Sequence, residues 1–149
     1  MANRKQITFT ATAHASGLTT VETPIVLRRS AGTDATTTGS SFVLTSQKTF
    51  VITSIVLRVR GAATATAQAT TFNFRLNVNG AVTITTTPIL FSVRLATPAT
   101  SLAVDSVVIP FNEPFEIWGD GTTQIGLTAA STYVTNAPTW DVLILGYEL

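Results

Sequence analysis

Apolar residues alternate with polar ones along almost the whole chain, and no stretch repeats them at helical spacing. Alternation of this kind puts successive side chains on opposite sides of an extended backbone, so the chain can bury its apolar residues only as sheets. The clearest run is Phe72 to Val78, with Phe72, Phe74 and Leu76 on one side and Asn73, Arg75 and Asn77 on the other. Ile7 and Phe9 open a first strand, and Pro24 to Arg29 and Ser41 to Thr45 read as short ones. From Lys48 to Arg60 the pattern changes phase: Phe50 and Ile52 are even, whereas Ile55, Leu57 and Val59 are odd. One extra residue near Ser54, a β-bulge, returns all five to the same face and leaves Arg58 and Arg60 pointing outward. Inward rows then follow at Ile89, Phe91, Val93 and Leu95 (with Arg94 outside), at Val107, Ile109 and Phe111, at Phe115 and Ile117, and at Ile125, Leu127 and Ala129. About nine or ten short strands separated by Gly, Pro and Asn turns predict an all-β, antiparallel two-sheet sandwich, jelly-roll-like, with minimal helix.

Asn79-Gly80 is a turn signal. A three-residue loop over Val78, Asn79 and Gly80, with Gly80 at positive φ, predicts a hairpin that pairs Leu76 with Val82 and Phe74 with Ile84. Gly32 to Ser41 and Gly61 to Thr71 are low-complexity stretches expected to be exposed loops. The last strand, Trp140 to Leu149, differs from the others. Val142 and Ile144 face one way while Leu143, Leu145 and Tyr147 face the other, so both sides call for cover.

The 149 residues suit a single domain, residues 1–149, with 1–6 as an N-terminal arm. With no cysteine there is no disulfide and no thiolate metal site, and the core must hold the fold alone. Charged residues are only 11% of the chain, so the surface is largely hydroxyl and methyl, which is inexpensive to desolvate against a partner. Mean hydropathy is +0.37, yet no run approaches the ~18–20 apolar residues of a spanning helix, and no signal segment opens the chain. The expectation is a soluble, untargeted protein that engages no membrane. All nine basic residues lie in residues 1–100 with two acidic ones, and the other six acidic residues lie in 101–149. Either strands from the two halves interleave and the charges mix, or the surface is bipolar and suited to docking between neighbours. Without clustered Lys and Arg, nucleic acid is not an expected partner.

Catalytic constellations are missing from the sequence. His14 is the only histidine, in a small-residue context without a nucleophile elbow, and reads as an ordinary residue. Gly119-Asp120-Gly121 reads as a hairpin turn rather than a calcium loop, which would need several more carboxylates. Glu113 and Glu116, three apart with Pro114 between them, fall on opposite sides of a strand and do not form a glycosidase pair. No catalytic residue, metal site or cofactor is expected. Trp118, Tyr133, Trp140 and Tyr147 leave open a carbohydrate platform, the alternative function, although core packing is the commoner use of such residues.

Two sets of residues carry the expectation of an assembled protein. Arg4, Lys5, Arg58, Arg60, Arg75 and Arg94 are expected to face outward toward an acidic partner, and replacing Arg58, Arg60 and Arg75 by Gln is expected to leave stability unchanged. Leu143, Leu145 and Tyr147 are expected at an oligomer interface. The general plan of short untargeted N-terminus, strand-rich body and hydrophobic last strand Trp140-Asp-Val-Leu-Ile-Leu-Gly-Tyr-Glu-Leu149 resembles the small jelly-roll decoration (cement) proteins of tailed-phage capsids. That resemblance implies a non-enzymatic virion protein on the capsid surface, a homo-oligomer, expected to be a trimer, that bridges subunits of the major capsid protein.

Overall fold

A computed structural model describes residues 4–15, 21–32, 36–60, 68–97, 104–132 and 139–149. The strands are β1 (Lys5–Ala15), β2 (Thr23–Pro24), β3 (Leu27–Ala31), β4 (Thr37–Gly39), β5 (Phe42–Val43), β6 (Lys48–Arg60), β7 (Gln68–Asn77), β8 (Ile89–Thr97), β9 (Val104–Gly119), β10 (Gln124–Ser131) and β11 (Thr139–Glu148). There is no helix among the described residues, hence none that crosses a membrane.

The pairings nest. First pairs with last, β1 with β11; then β2 and β5 with β10, β6 with β9, and β7 with β8. A long hairpin rolled on itself gives this pattern, and the roll is closed by β11 against β6 and by β10 against β7. The result is a jelly roll of two antiparallel sheets, ordered β4-β3-β1-β11-β6-β9 and β2-β10-β7-β8, with β5 beside β2 on β10. The inward rows of both sheets meet in one core, where Phe9 lies 4.9 Å from Phe42 and 5.8 Å from Phe50, and Trp140 packs edge-on to Phe72 at 5.5 Å.

The phase change in β6 is a bulge at Thr53. Ser54 pairs with Leu145 but Ile52 pairs with Gly146, so Thr53 has no partner on β11. Phe50, Ile52, Ile55, Leu57 and Val59 are consequently all buried. Gly146 stands beside this bulge because a Cβ there would collide with the Val51 carbonyl. On the other side of β6, β9 spends four residues, 111–114, opposite Thr53, a wide bulge that follows Pro110 and ends at Pro114.

Several sequence expectations change. Lys5 and Gln6 pair with Glu148 and Tyr147, so β1 begins inside the expected arm. The stretch from Gly32 to Ser41 includes β4, which extends the sheet beside β3, and Gln68 to Thr71 already belong to β7. The Asn79-Gly80 turn forms, with Gly80 at φ +114°, but it does not close the expected hairpin. Instead β7 pairs with β8: Phe74 faces Phe91 and Arg75 faces Ile89, which skips Leu90 and leaves Ile89 46% exposed. Hydroxyls account for the difference. The Thr83 N–H donates to Thr87 Oγ1 at 2.8 Å and the Thr83 and Thr86 hydroxyls lie 2.5 Å apart, which folds the threonine run as a turn where β propensity predicts a strand.

The bulge divides neighbours on one strand into core and surface. Ile55→Ala should cost about 2–5 kcal/mol of unfolding free energy, whereas Val56→Ala should cost about 1 kcal/mol or less, both measured by urea titration. Equal costs would contradict the assigned phase.

Candidate functional site

Trp140, Val142 and Ile144 of β11 point into the core and are essentially inaccessible. Asp141, Leu143, Leu145 and Tyr147 point the other way, onto the outer face of the six-stranded sheet, and are half-buried. Because β11 lies between β1 and β6, its ladder register places these side chains at the middle of that face. One row reads Arg28, Thr10, Leu143, Val56 and Val108; the next reads Ser30, Thr8, Leu145, Ser54 and Pro110. Val108 is 62% exposed. A shallow depression of about 430 Å³ lies here, lined by Thr10, Thr12, Val56, Ser106 and Leu143 and ending at the pair Arg58–Asp141. At the other end of the face the Arg4 guanidinium sits 4.8 Å above the Tyr147 ring, in line with Val51, which is fully buried although it lies outside the core cluster.

The expected outward arginines separate into different environments. Arg58 is on the outer face, where its Nε donates to Asp141 Oδ2 at 2.6 Å, and its side chain is 42% exposed. Arg94 and Arg4 are exposed and Lys5 is half-exposed; the side chain of Arg60 lies outside the described part of the structure. Arg75 is a correction. It does leave the core side of β7, but it is 4% exposed because the segment before β2 and the turn before β8 fold over it. Its guanidinium holds both carboxylate oxygens of Glu22 at 2.8 Å and donates to the Thr87 carbonyl and, at 3.2 Å, to the Thr128 hydroxyl. Arg75 is therefore a clamp between three segments and does not face a partner.

Burial works to raise the Glu22 pKa, but hydrogen bonds from Thr128, Asn73 and Arg75, with the Arg75 charge, outweigh it and the net shift is downward. A second clamp closes one end of the sandwich: Glu148, 6% exposed, accepts from Thr45 Oγ1 at 2.7 Å and from Arg29 Nη2 at 3.3 Å. Arg58–Asp141 and Arg29–Glu148 each join the basic part of the chain to the acidic part, so the interleaving strands do mix the charges.

Asp120 serves its own turn. It accepts from the Thr122 N–H at 2.8 Å, the Thr123 N–H at 2.5 Å and the Thr123 hydroxyl at 2.9 Å, and the two backbone donors chiefly hold its pKa well below the usual carboxylate range. No cluster of metal-binding side chains occurs among the described residues. The three of these aromatics among the described residues do not form a platform: Trp140 is core, Tyr147 lies under Arg4, and of the three only Trp118 is well exposed, at 62%. Tyr133 and the His14 side chain lie outside the described residues. No family model and no curated protein sequence matches the chain.

The clamp generates two expected outcomes. Arg75→Gln leaves Glu22 partly buried beside an uncharged neighbour and should cost roughly 2–4 kcal/mol, while Arg58→Gln should cost about 1 kcal/mol or less. Glu22 has a depressed folded pKa, so its stabilising contribution is present above the ordinary glutamate range and is lost as pH falls through the folded value. Urea titrations between pH 7 and pH 3 should show a smaller acid-side loss of stability in Glu22→Gln than in the wild type. Identical pH slopes would contradict the clamp.

Proposed function

We propose that this chain is a non-enzymatic structural protein that self-associates and seats on a larger protein shell, in the manner of the capsid decoration proteins its sequence plan resembles. The carrying observation is the outer side of β11. Leu143 and Leu145 stand, only half-buried, at the middle of a sheet face, flanked by Val56 and the exposed Val108. Apolar residues at the centre of a solvent-facing sheet support no core of this chain, and their contiguity suits contact with another protein. Arg58 and Asp141 in that region already neutralise each other, which lowers the cost of covering them. Arg4, Arg28 and Arg94 remain exposed around the molecule as contacts for an acidic neighbour. The carbohydrate alternative is supported by the exposed Trp118 alone.

Light scattering should give a mass near three chains for the wild type, and Leu143→Arg should lower it toward one chain with an unchanged β-type circular dichroism spectrum. Co-sedimentation with tailed-phage shells stripped of accessory proteins should be saturable, while a glycan panel should retain nothing. A wild type that is monomeric at about 100 μM and binds glycans but no shell would contradict the proposal.

A further inference from the structure

The side of the sandwich where β8 and β9 run is built differently from the opposite side. On that side both sheets end, β8 closing one and β9 the other. Most of their inward residues do not reach full burial: Phe91, Val93, Val107, Ile109, Phe111 and Phe115 pack against the core yet stay half-exposed, and among the described residues of these rows only Leu95 and Ile117 are buried. Phe91 stacks on Phe74 at 5.1 Å and meets Phe111 at 6.0 Å, and Phe111 meets Phe115 at 6.2 Å, so an aromatic file lines the seam between the sheets. Ile89 and Leu90, at the start of β8, are 46% and 39% exposed.

The edges themselves differ in protection. β9 carries Pro110, Pro114, Glu113 and Glu116, devices that discourage strand pairing, and β2, β4 and β5 are only two or three residues long. β8 runs nine residues with Arg94 as its single charge and no proline. A long, apolar, lightly charged edge beside an open seam is a surface that a soluble monomer does not need.

The molecule thus has two unlike apolar surfaces, this edge and the outer face of the six-stranded sheet. We infer that they bind each other between copies: the β8/β9 edge of one chain packs on the Leu143–Leu145 face of the next. The inference rests on the proposal that this face is a contact surface, and it names the partner as a second copy of the chain. Charge fixes the orientation. The edge is negative along its β9 lip, at Glu113, and positive along its β8 lip, at Arg94; the face is positive along its β3 rim, at Arg28, and negative along its β9 rim, at Glu116, which shares the row of Tyr147 and Val51. All four residues are exposed, and none makes an ion pair among the described residues. Laying the β9 lip on the neighbour's β3 rim and the β8 lip on its β9 rim matches both signs.

Area favours the same arrangement. Five strands by seven residues give the face a footprint of roughly 24 by 20 Å, on the order of 500 Å². That is below the ~800 Å² per partner of an ordinary stable interface. A face-to-face dimer would use this area once. Edge-to-face contact is heterologous, so every copy in a closed ring contributes both surfaces.

The test measures association of the full chain by sedimentation equilibrium at low ionic strength, where exposed charges act at longest range. The acidic reversal (Glu113→Lys with Glu116→Lys) and the basic reversal (Arg28→Glu with Arg94→Glu) should each weaken association at least tenfold. The combined fourfold reversal should return it to within about threefold of the wild type, with a ring mass near three times 15.7 kDa. Melting temperatures identify any variant that fails to fold, and for such a variant the Gln versions at the same positions replace the reversals. Failure of the fourfold reversal to restore assembly, while Leu143→Arg still dissociates it, overturns the edge-to-face pairing and leaves the face as an interface of another geometry. If Leu143→Arg leaves the mass unchanged, the face itself is not a contact and both readings fall.

Discussion

The pairing of the last strand with the first organises this molecule. β11 enters between β1 and β6 and hydrogen-bonds to both, so a segment that is apolar on both sides becomes the middle of the six-stranded sheet. One side of it, Trp140, Val142 and Ile144, completes the core, and the other cannot avoid the centre of an outer face. Nested pairing also explains the slow, non-local character expected of folding here, since the ends of the chain must meet before the sheet can close.

That geometry converts a sequence oddity into a surface. A strand with a polar outer side would have given the six-stranded sheet an ordinary solvated face. Leu143 instead aligns with Val56 and Val108 and Tyr147 with Val51, with Leu145 in the row between them, and the charges nearby are either paired, as in Arg58–Asp141, or held at the rims. Function, on this account, follows from covering apolar sheet surface rather than from chemistry at a residue.

Much of the sandwich was legible in the sequence because period-two alternation reports which side of a strand a residue takes. It gave the limits of β6, the bulge within one residue of Ser54, and the inward rows of β9 and β10. Alternation says nothing about what lies over the outer side, and Arg75 shows the consequence: its direction was correct, but Glu22 and Thr87 arrive from segments far away in sequence or beyond a turn. The Thr83–Thr87 run misled for a local reason, since threonine favours strands on propensity and turns when its hydroxyls find each other. Nested strand order depends on long-range pairing, for which single-strand patterns carry no signal. The face around Leu143 was visible as two-sided hydrophobicity; the seam at Phe91 and Phe111 was not, because inward-facing residues read as core until the edge of the sheet is known.

Oxidative side-chain footprinting across a concentration series reports whether the outer side of β11 becomes covered as the chain associates. Trp140 should stay protected from dilute to concentrated protein, because the fold of one chain buries it. Leu143, Leu145 and Tyr147 should be oxidised in dilute protein and become protected together as the chain assembles. Oxidation of those three at the same rate in assembled and dilute protein would contradict the account.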